Sequence, residues 1–199
     1  KYLEHEKPDV LGITNYLWNT NLANRISRFA RERNPEILLV FGGPEISPNT
    51  LDMNVFKKKY FHADLLVEHE GEVAFTQIIK TYLNVGKNRK KLREDIDHLG
   101  NCFYVHSSGE LVKGPKLSRI EDGLDSIPSP YVKGLFDEFL LDNRFQPLIQ
   151  TNRGCPYQCT FCHEGNSYFS KIDSHSPDYI EQELDYIANR VDPLVGLQI

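Results

Sequence analysis

The sequence predicts an α/β protein: a parallel sheet with helices on its faces, followed by the first β/α units of a barrel. Three observations carry this. Short apolar strands alternate with amphipathic helical segments through the first hundred residues. The connections between them are short, as crossovers onto a parallel sheet require. A second series of strand, loop, helix and strand begins near residue 147.

The elements follow in order. Asp9-Val10-Leu11-Gly12-Ile13-Thr14 is a short strand after Pro8. Residues 20–33 carry Leu22, Ile26, Phe29 and Ala30 at helical spacing, with arginines between them, and Pro35 ends that helix. Ile37-Leu38-Leu39-Val40-Phe41 is continuously apolar, as a strand covered on both faces should be. Asp64-Leu65-Leu66-Val67 reads as another strand. A helix from Glu72 to Leu83 brings Val73, Phe75, Ile78, Ile79 and Leu83 near one side. This is a Rossmann-like arrangement, and ligands on such sheets bind beyond the carboxyl ends of the strands. Three strand ends therefore matter: Thr14-Asn15-Tyr16, Gly42-Gly43-Pro44 and Glu68-His69-Glu70-Gly71-Glu72.

Residues 84–98 are mostly charged. Lys87, Arg89, Lys90, Lys91 and Arg93 are followed at once by Asp95 and Asp97, with no interleaved aromatics, so a solvated loop is expected rather than a nucleic-acid patch. Cys102–Val105 and Leu111-Val112 form a small hairpin around Ser107-Ser108-Gly109. Ile127-Pro128-Ser129-Pro130-Tyr131 is rigid connector chemistry. Pro147–Thr151 is a strand running into a cysteine-rich loop. A helix over 177–190 follows, with Ser176 as its cap, Pro177 at its start and Ile180, Leu184, Tyr186 and Ile187 on its apolar side. A last strand covers 195–199. The expected division is 1–105 for the sheet domain, 106–145 for hairpin and connector, and 146–199 for the start of the barrel. Both ends read as cut from a longer chain, and the final segment is too short to close a barrel.

The 199 residues have an ordinary globular composition, 40% hydrophobic and 26% charged, with a net charge of -5. No apolar run approaches the roughly 20 residues of a membrane span, and no signal peptide opens the chain. A cytoplasmic protein without a nucleic-acid partner is expected. Four cysteines do not suggest a disulfide scaffold. No G-x-G-x-x-G or phosphate-binding P-loop is present. Glu68, Glu70 and Glu72 have no further support as hydrolytic carboxylates, and acid residues near a helix start suit its dipole.

Three of the four cysteines, Cys155, Cys159 and Cys162, are spaced C-x3-C-x2-C within Arg153-Gly154-Cys155-Pro156-Tyr157-Gln158-Cys159-Thr160-Phe161-Cys162-His163. Three thiolates can hold three irons of a [4Fe–4S] cluster and leave the fourth iron open. Zinc would want four ligands, which His163 or His175 would have to complete, and a thioredoxin-like C-x-x-C leaves Cys155 unexplained.

This loop resembles the signature of the radical S-adenosylmethionine superfamily, C-x3-C-x-aromatic-C, with Phe161 at the aromatic position. The resemblance implies that the open iron binds S-adenosylmethionine and that one electron cleaves it to a 5′-deoxyadenosyl radical, with Phe161 beside the adenine. Residues 8–83 resemble the cobalamin-binding domain that precedes the radical module in one branch of that superfamily. The matching pieces are Pro8–Thr14, Tyr16-Leu17-Trp18-Asn19, Phe41-Gly42-Gly43-Pro44-Glu45 and Glu70-Gly71-Glu72. Thr14, Tyr16, Trp18, Gly42, Gly43, Glu70 and Gly71 are thereby implied as cobalamin-binding residues. Gly42-Gly43 also reads as an ordinary tight turn, and Trp18 as packing between modules. The Asp-x-His-x-x-Gly loop that supplies an axial histidine in many cobalamin modules does not occur. The branch implies methyl transfer to a small-molecule or natural-product substrate, with a flavodoxin or ferredoxin as electron donor. Cyclisation or ring rearrangement on the same scaffold is the alternative, as is a non-catalytic iron–sulfur or corrinoid carrier. Methylthio transfer would require further cysteines, which Cys102 alone does not supply.

Overall fold

A computed structural model describes residues 2–46, 51–94, 96, 98–120 and 122–199. Asp95 and Asp97 lie outside the described residues. The chain divides into two compact units, Lys1–Arg119 and Ile120–Ile199.

The first unit opens with a short helix, α1 (Tyr2–His5). It continues through β1 (Val10–Thr14), α2 (Thr20–Arg33), β2 (Leu38–Gly42), α3 (Met53–Lys59), β3 (Leu65–Val67), α4 (Gly71–Asn84), α5 (Arg89–Leu92), β4 (Cys102–Val105) and β5 (Leu111–Lys113). One five-stranded sheet runs in the order β1-β2-β3-β4-β5. The first three strands are parallel, with Gly12 beside Val40 and Phe41 beside Leu66. The hairpin expected to stand in the connector instead extends this sheet, β4 pairing antiparallel with β3 and β5 with β4.

β2 is buried on both faces, and its residues alternate between two cores. Leu38 and Val40 join Leu65, Val67, Ile78 and Tyr82 beneath α4. Phe41 joins Leu66, Phe56 and Tyr60 beneath α3, while Leu39 packs with Ala30 and Ile37 beneath α2.

The helices form where the sequence places them but turn differently. On α2 the buried residues are Ala23, Ser27 and Ala30, while Leu22 is 59% and Ile26 37% exposed. Small residues let the helix lie close to the sheet, and the larger apolar side chains fall beside the contact rather than in it. α4 likewise buries Ala74, Ile78, Thr81 and Tyr82 and leaves Val73 and Leu83 exposed. α3 has a readable start: the Asp52 carboxylate accepts the Val55 N–H at 2.8 Å, and Phe56 is its buried anchor.

The charged run 84–98 is not a solvated loop. Leu92 and Ile96 are fully buried in the α4 core. Arg89 and Arg93 reach Oδ1 of Asp64 at 2.9 and 2.8 Å, and Arg31 reaches its Oδ2 at 2.6 Å. Asp64 also accepts the Leu39 N–H at 2.9 Å, and its side chain is 1% exposed. A buried carboxylate needs such partners, and the segment is held by supplying them.

In the second unit a 3₁₀ turn at Leu124–Ser126 precedes α6 (Asp137–Leu140), β6 (Asn152–Arg153), β7 (Asp173–Ser174) and α7 (Pro177–Ala188). The strands expected at 147–151 and 195–199 meet in a parallel bridge at Leu148 and Gln198. Ile149 N–H donates to the Gln198 carbonyl and Gln198 N–H to the Pro147 carbonyl, both at 3.0 Å. α7 connects them and packs Ile180, Leu184, Tyr186 and Ile187 with Tyr131, Leu140 and Ile149. Ser176 caps it, accepting from the Tyr179 N–H at 3.2 Å. This is one β-α-β unit with the cysteine loop at the carboxyl end of its first strand.

Candidate functional site

In the first unit a cavity of about 470 Å³ opens at the carboxyl ends of β1, β2 and β3. It brings together Thr14, Gly42, Gly43 and Gly71 of the residues expected from sequence. Ile13, Val40, Val67 and Phe75 give it apolar lining, and His69 and Glu72 also line it. The sequence placed His69 at a strand end and Phe75 on a helix's apolar side but assigned neither to the site. The glycines act differently. Gly43 has φ 103°, and a Cβ there would stand 2.8 Å from the Asn15 carbonyl oxygen. That close approach is stitched by Asn15 N–H to the Gly42 carbonyl at 2.7 Å and Glu45 N–H to the Asn15 carbonyl at 3.3 Å. A Cβ on Gly42 or Gly71 would meet nothing nearer than 3.9 Å, so their bareness leaves room in the cavity rather than in the fold.

Tyr16, Trp18 and Glu70 do not line this cavity. Tyr16 and Trp18 stack at 4.6 Å with 13° between their planes, and Trp18 is 80% exposed, so it is not a core residue of this unit. Asn19 sets this ledge by accepting the Tyr16 N–H at 2.7 Å and donating to the Thr14 carbonyl at 3.0 Å. Glu70 stands at the start of α4 and is held by Arg119 at 2.9 Å. Glu68, 1% exposed, pairs with Lys113 at 3.2 Å. Burial, and secondarily the Glu68 charge, pushes the Cys102 thiol up to about 12. Its Sγ donates to the Leu99 carbonyl at 3.1 Å, so Cys102 is a neutral core thiol and a poor metal ligand.

In the second unit β6 and β7 pair antiparallel and flank the cysteine loop. Cys155 N–H donates to the Phe169 carbonyl at 2.8 Å. Gly154, at φ 108°, lets that strand approach: a Cβ there would run into the Lys171 and Phe169 carbonyls. Cys162 N–H donates to the Cys159 carbonyl and Gly165 N–H to the Cys162 carbonyl, both at 3.1 Å. A Cβ on Gly165 would collide with the Cys159 backbone. The loop backbone is thus folded on itself, while Cys159 and Cys162 are exposed, Cys155 is half-buried and Phe161 is 92% exposed.

Among the described residues no three His, Cys, Asp or Glu side chains are gathered closely enough to share one metal ion. His175 is turned to Asp125 at 2.9 Å and stacks on Tyr179 at 4.0 Å. Each thiolate of a four-iron cluster takes a different iron, so three sulfurs on one exposed loop suit a group larger than a single ion.

No family model matches the chain. The cobalamin-dependent radical SAM methyltransferase TokK of Streptomyces tokunonensis is 31% identical over 188 residues, 92% of this chain and 26% of TokK. The 2-(S-pantetheinyl)-carbapenam-3-carboxylate methyltransferase of Streptantibioticus cattleyicolor is 31% identical over 186 residues, 91% of this chain and 26% of that protein. The chain belongs to the cobalamin-binding radical S-adenosylmethionine enzyme family. It spans about a quarter of the length of these two relatives. An anaerobic magnesium-protoporphyrin IX monomethyl ester cyclase of Rubrivivax gelatinosus is 25% identical over 94% of this chain and 32% of the cyclase.

The family's fold recurs in solved structures. OxsB with aqua-cobalamin and S-adenosylmethionine bound superposes with a TM-score of 0.63 at 22% identity, over 95% of this chain and 24% of OxsB. TsrM from Kitasatospora setae with cobalamin and a [4Fe-4S] cluster bound gives 0.61 at 16% identity, over 94% of this chain and 36% of TsrM. No helix among the described residues is long and apolar enough to cross a membrane.

Proposed function

We propose that the full-length protein is a cobalamin-dependent radical S-adenosylmethionine methyltransferase. It acts in the cytoplasm on a small-molecule or natural-product substrate and takes electrons from a flavodoxin or ferredoxin. The observation that carries this reading is the presence, in one chain, of the exposed Cys155, Cys159 and Cys162 loop and a glycine-lined cavity at the ends of parallel strands. When bound, the [4Fe–4S] cluster supplies an electron and an open iron for S-adenosylmethionine, and cobalamin supplies a methyl carrier.

The chain's own residues would bind and orient these groups. Cys155, Cys159 and Cys162 ligate the cluster as thiolates, on a loop whose backbone is held by its own hydrogen bonds and the Phe169 carbonyl. Phe161 offers an exposed ring for the adenine. Thr14, Gly42, Gly43 and Gly71 would make room for the base-bearing tail of the corrinoid. Tyr16 and Trp18 would offer it an aromatic ledge, and Glu70 fixes the loop through Arg119.

The second reading is a cyclase or ring-rearranging enzyme, favoured by the likeness to the Rubrivivax gelatinosus cyclase. Both share the cleavage of S-adenosylmethionine. The test is anaerobic reconstitution of the full-length protein with iron, sulfide, cobalamin and a reductant, followed by mass spectrometry of S-adenosylmethionine turnover. Appearance of 5′-deoxyadenosine supports the enzyme. Its absence with an intact cluster would replace both readings with a non-catalytic carrier.

A further inference from the structure

Three non-glycine residues among those described have positive φ: His69 at 59°, Lys87 at 59° and Asn101 at 50°. Backbone in this region is uncommon for residues with a Cβ and gathers at sites where function demands it. Lys87 follows Gly86 past the end of α4, and its N–H donates to the Tyr82 carbonyl at 2.8 Å, which is ordinary helix termination. Asn and His are both residue types enriched in this region, but Asn101 is held there by its own packing, its Oδ1 accepting the Leu117 N–H at 2.9 Å. His69 ends no helix. It lies two residues beyond β3 and lines the cavity, with its side chain 9% exposed.

We infer that His69 is a polar contact for the bound corrinoid, and that its left-handed backbone is retained because it turns the imidazole to the cavity. This rests on the corrinoid reading above. The lining is apolar at Ile13, Val40, Val67 and Phe75, and polar at Thr14, His69 and Glu72. A ligand that matches it has an apolar part and a part rich in hydrogen-bonding groups. A corrinoid has both: an aromatic base, and a phosphodiester tail with a rim of amides. An imidazole can donate to either the phosphodiester or an amide carbonyl. His69 Nε2 lies 3.9 Å from the Glu68 carboxylate.

The test uses two variants of the full-length protein, His69→Gly and His69→Ala, titrated with hydroxocobalamin and melted without cofactor. Glycine relieves the backbone strain and alanine keeps it, while both remove the imidazole. Both variants are expected to bind hydroxocobalamin about tenfold more weakly. The cofactor-free glycine variant is expected to melt above the alanine variant by about a few degrees. Stability and affinity would then move apart, which a purely structural histidine does not produce. Affinity unchanged in both variants would overturn the inference, as would affinity lost in alanine and restored in glycine. Failure of the unaltered protein to bind hydroxocobalamin would overturn the corrinoid reading and this inference with it.

Discussion

A Cβ on Gly43 would stand 2.8 Å from the carbonyl oxygen of Asn15, closer than side-chain carbons approach backbone oxygens. This contact joins the loop after β2 to the end of β1 and shapes the mouth of the cavity. Gly43→Val should therefore destabilise the unit by about 1–3 kcal/mol and weaken cobalamin binding. A titration showing unchanged affinity would remove the loop from the site.

The four cysteines should separate into two classes. Replacing Cys155, Cys159 or Cys162 by alanine should abolish the cluster absorption of the reconstituted full-length protein. Cys102→Ala should keep the cluster, because that thiol is buried and protonated, and cost about 1 kcal/mol in packing. Iron content and visible absorption check both; iron lost with Cys102 would make it a ligand.

Asp64 pairs with three arginines from two separate stretches of the chain. Asp64→Ala leaves those guanidiniums facing one another without their carboxylate and should cost about 3–5 kcal/mol. Arg93→Ala, which removes the most exposed of the three, should cost less, since two arginines remain on Asp64. Urea unfolding of each variant measures the order; equal losses would contradict it.

Asp125 accepts the Ser176 N–H at 3.1 Å and contacts His175 Nδ1 at 2.9 Å, at the start of α7. Hydrogen bonds from Ser176 first, and His175 next, hold its carboxyl below the ordinary value. A depressed carboxyl contributes stability that is present above its unfolded value and is lost as pH falls through its folded value. Asp125→Asn should therefore lower the melting temperature at pH 7 and make little difference once acid has protonated the native carboxyl. Equal deficits at pH 7 and in strong acid would show that the charge is not what matters.

Legibility followed distance along the chain. The β2 run from Ile37 to Phe41 was readable because burial on both faces demands unbroken apolar sequence, whatever the neighbours. The Ser176 cap with Pro177 was readable because a helix start is a local problem of unpaired N–H groups. The turn of α2 was not: Ala23, Ser27 and Ala30 face inward because the sheet lies close, and no count of apolar residues reveals that. The antiparallel addition of β4 to β3 was likewise hidden, since a hairpin pairs as well alone as at a sheet edge until its neighbour is known.

The same holds for the candidate sites. By itself the sequence determined the α/β class, the main strands and the longer helices α2, α4 and α7 in their order, and a three-cysteine loop placed after a strand. These rest on residues within a few positions of each other, where backbone geometry alone sets what is possible. Only the tertiary structure decided that Arg89 and Arg93 belong to Asp64, that Cys102 is a core thiol, and that His69 and Phe75 share a cavity with Gly42 and Gly43. Those relationships join residues far apart in the chain. Burial and charge compensation act through space, and only the folded packing sets which distant groups meet.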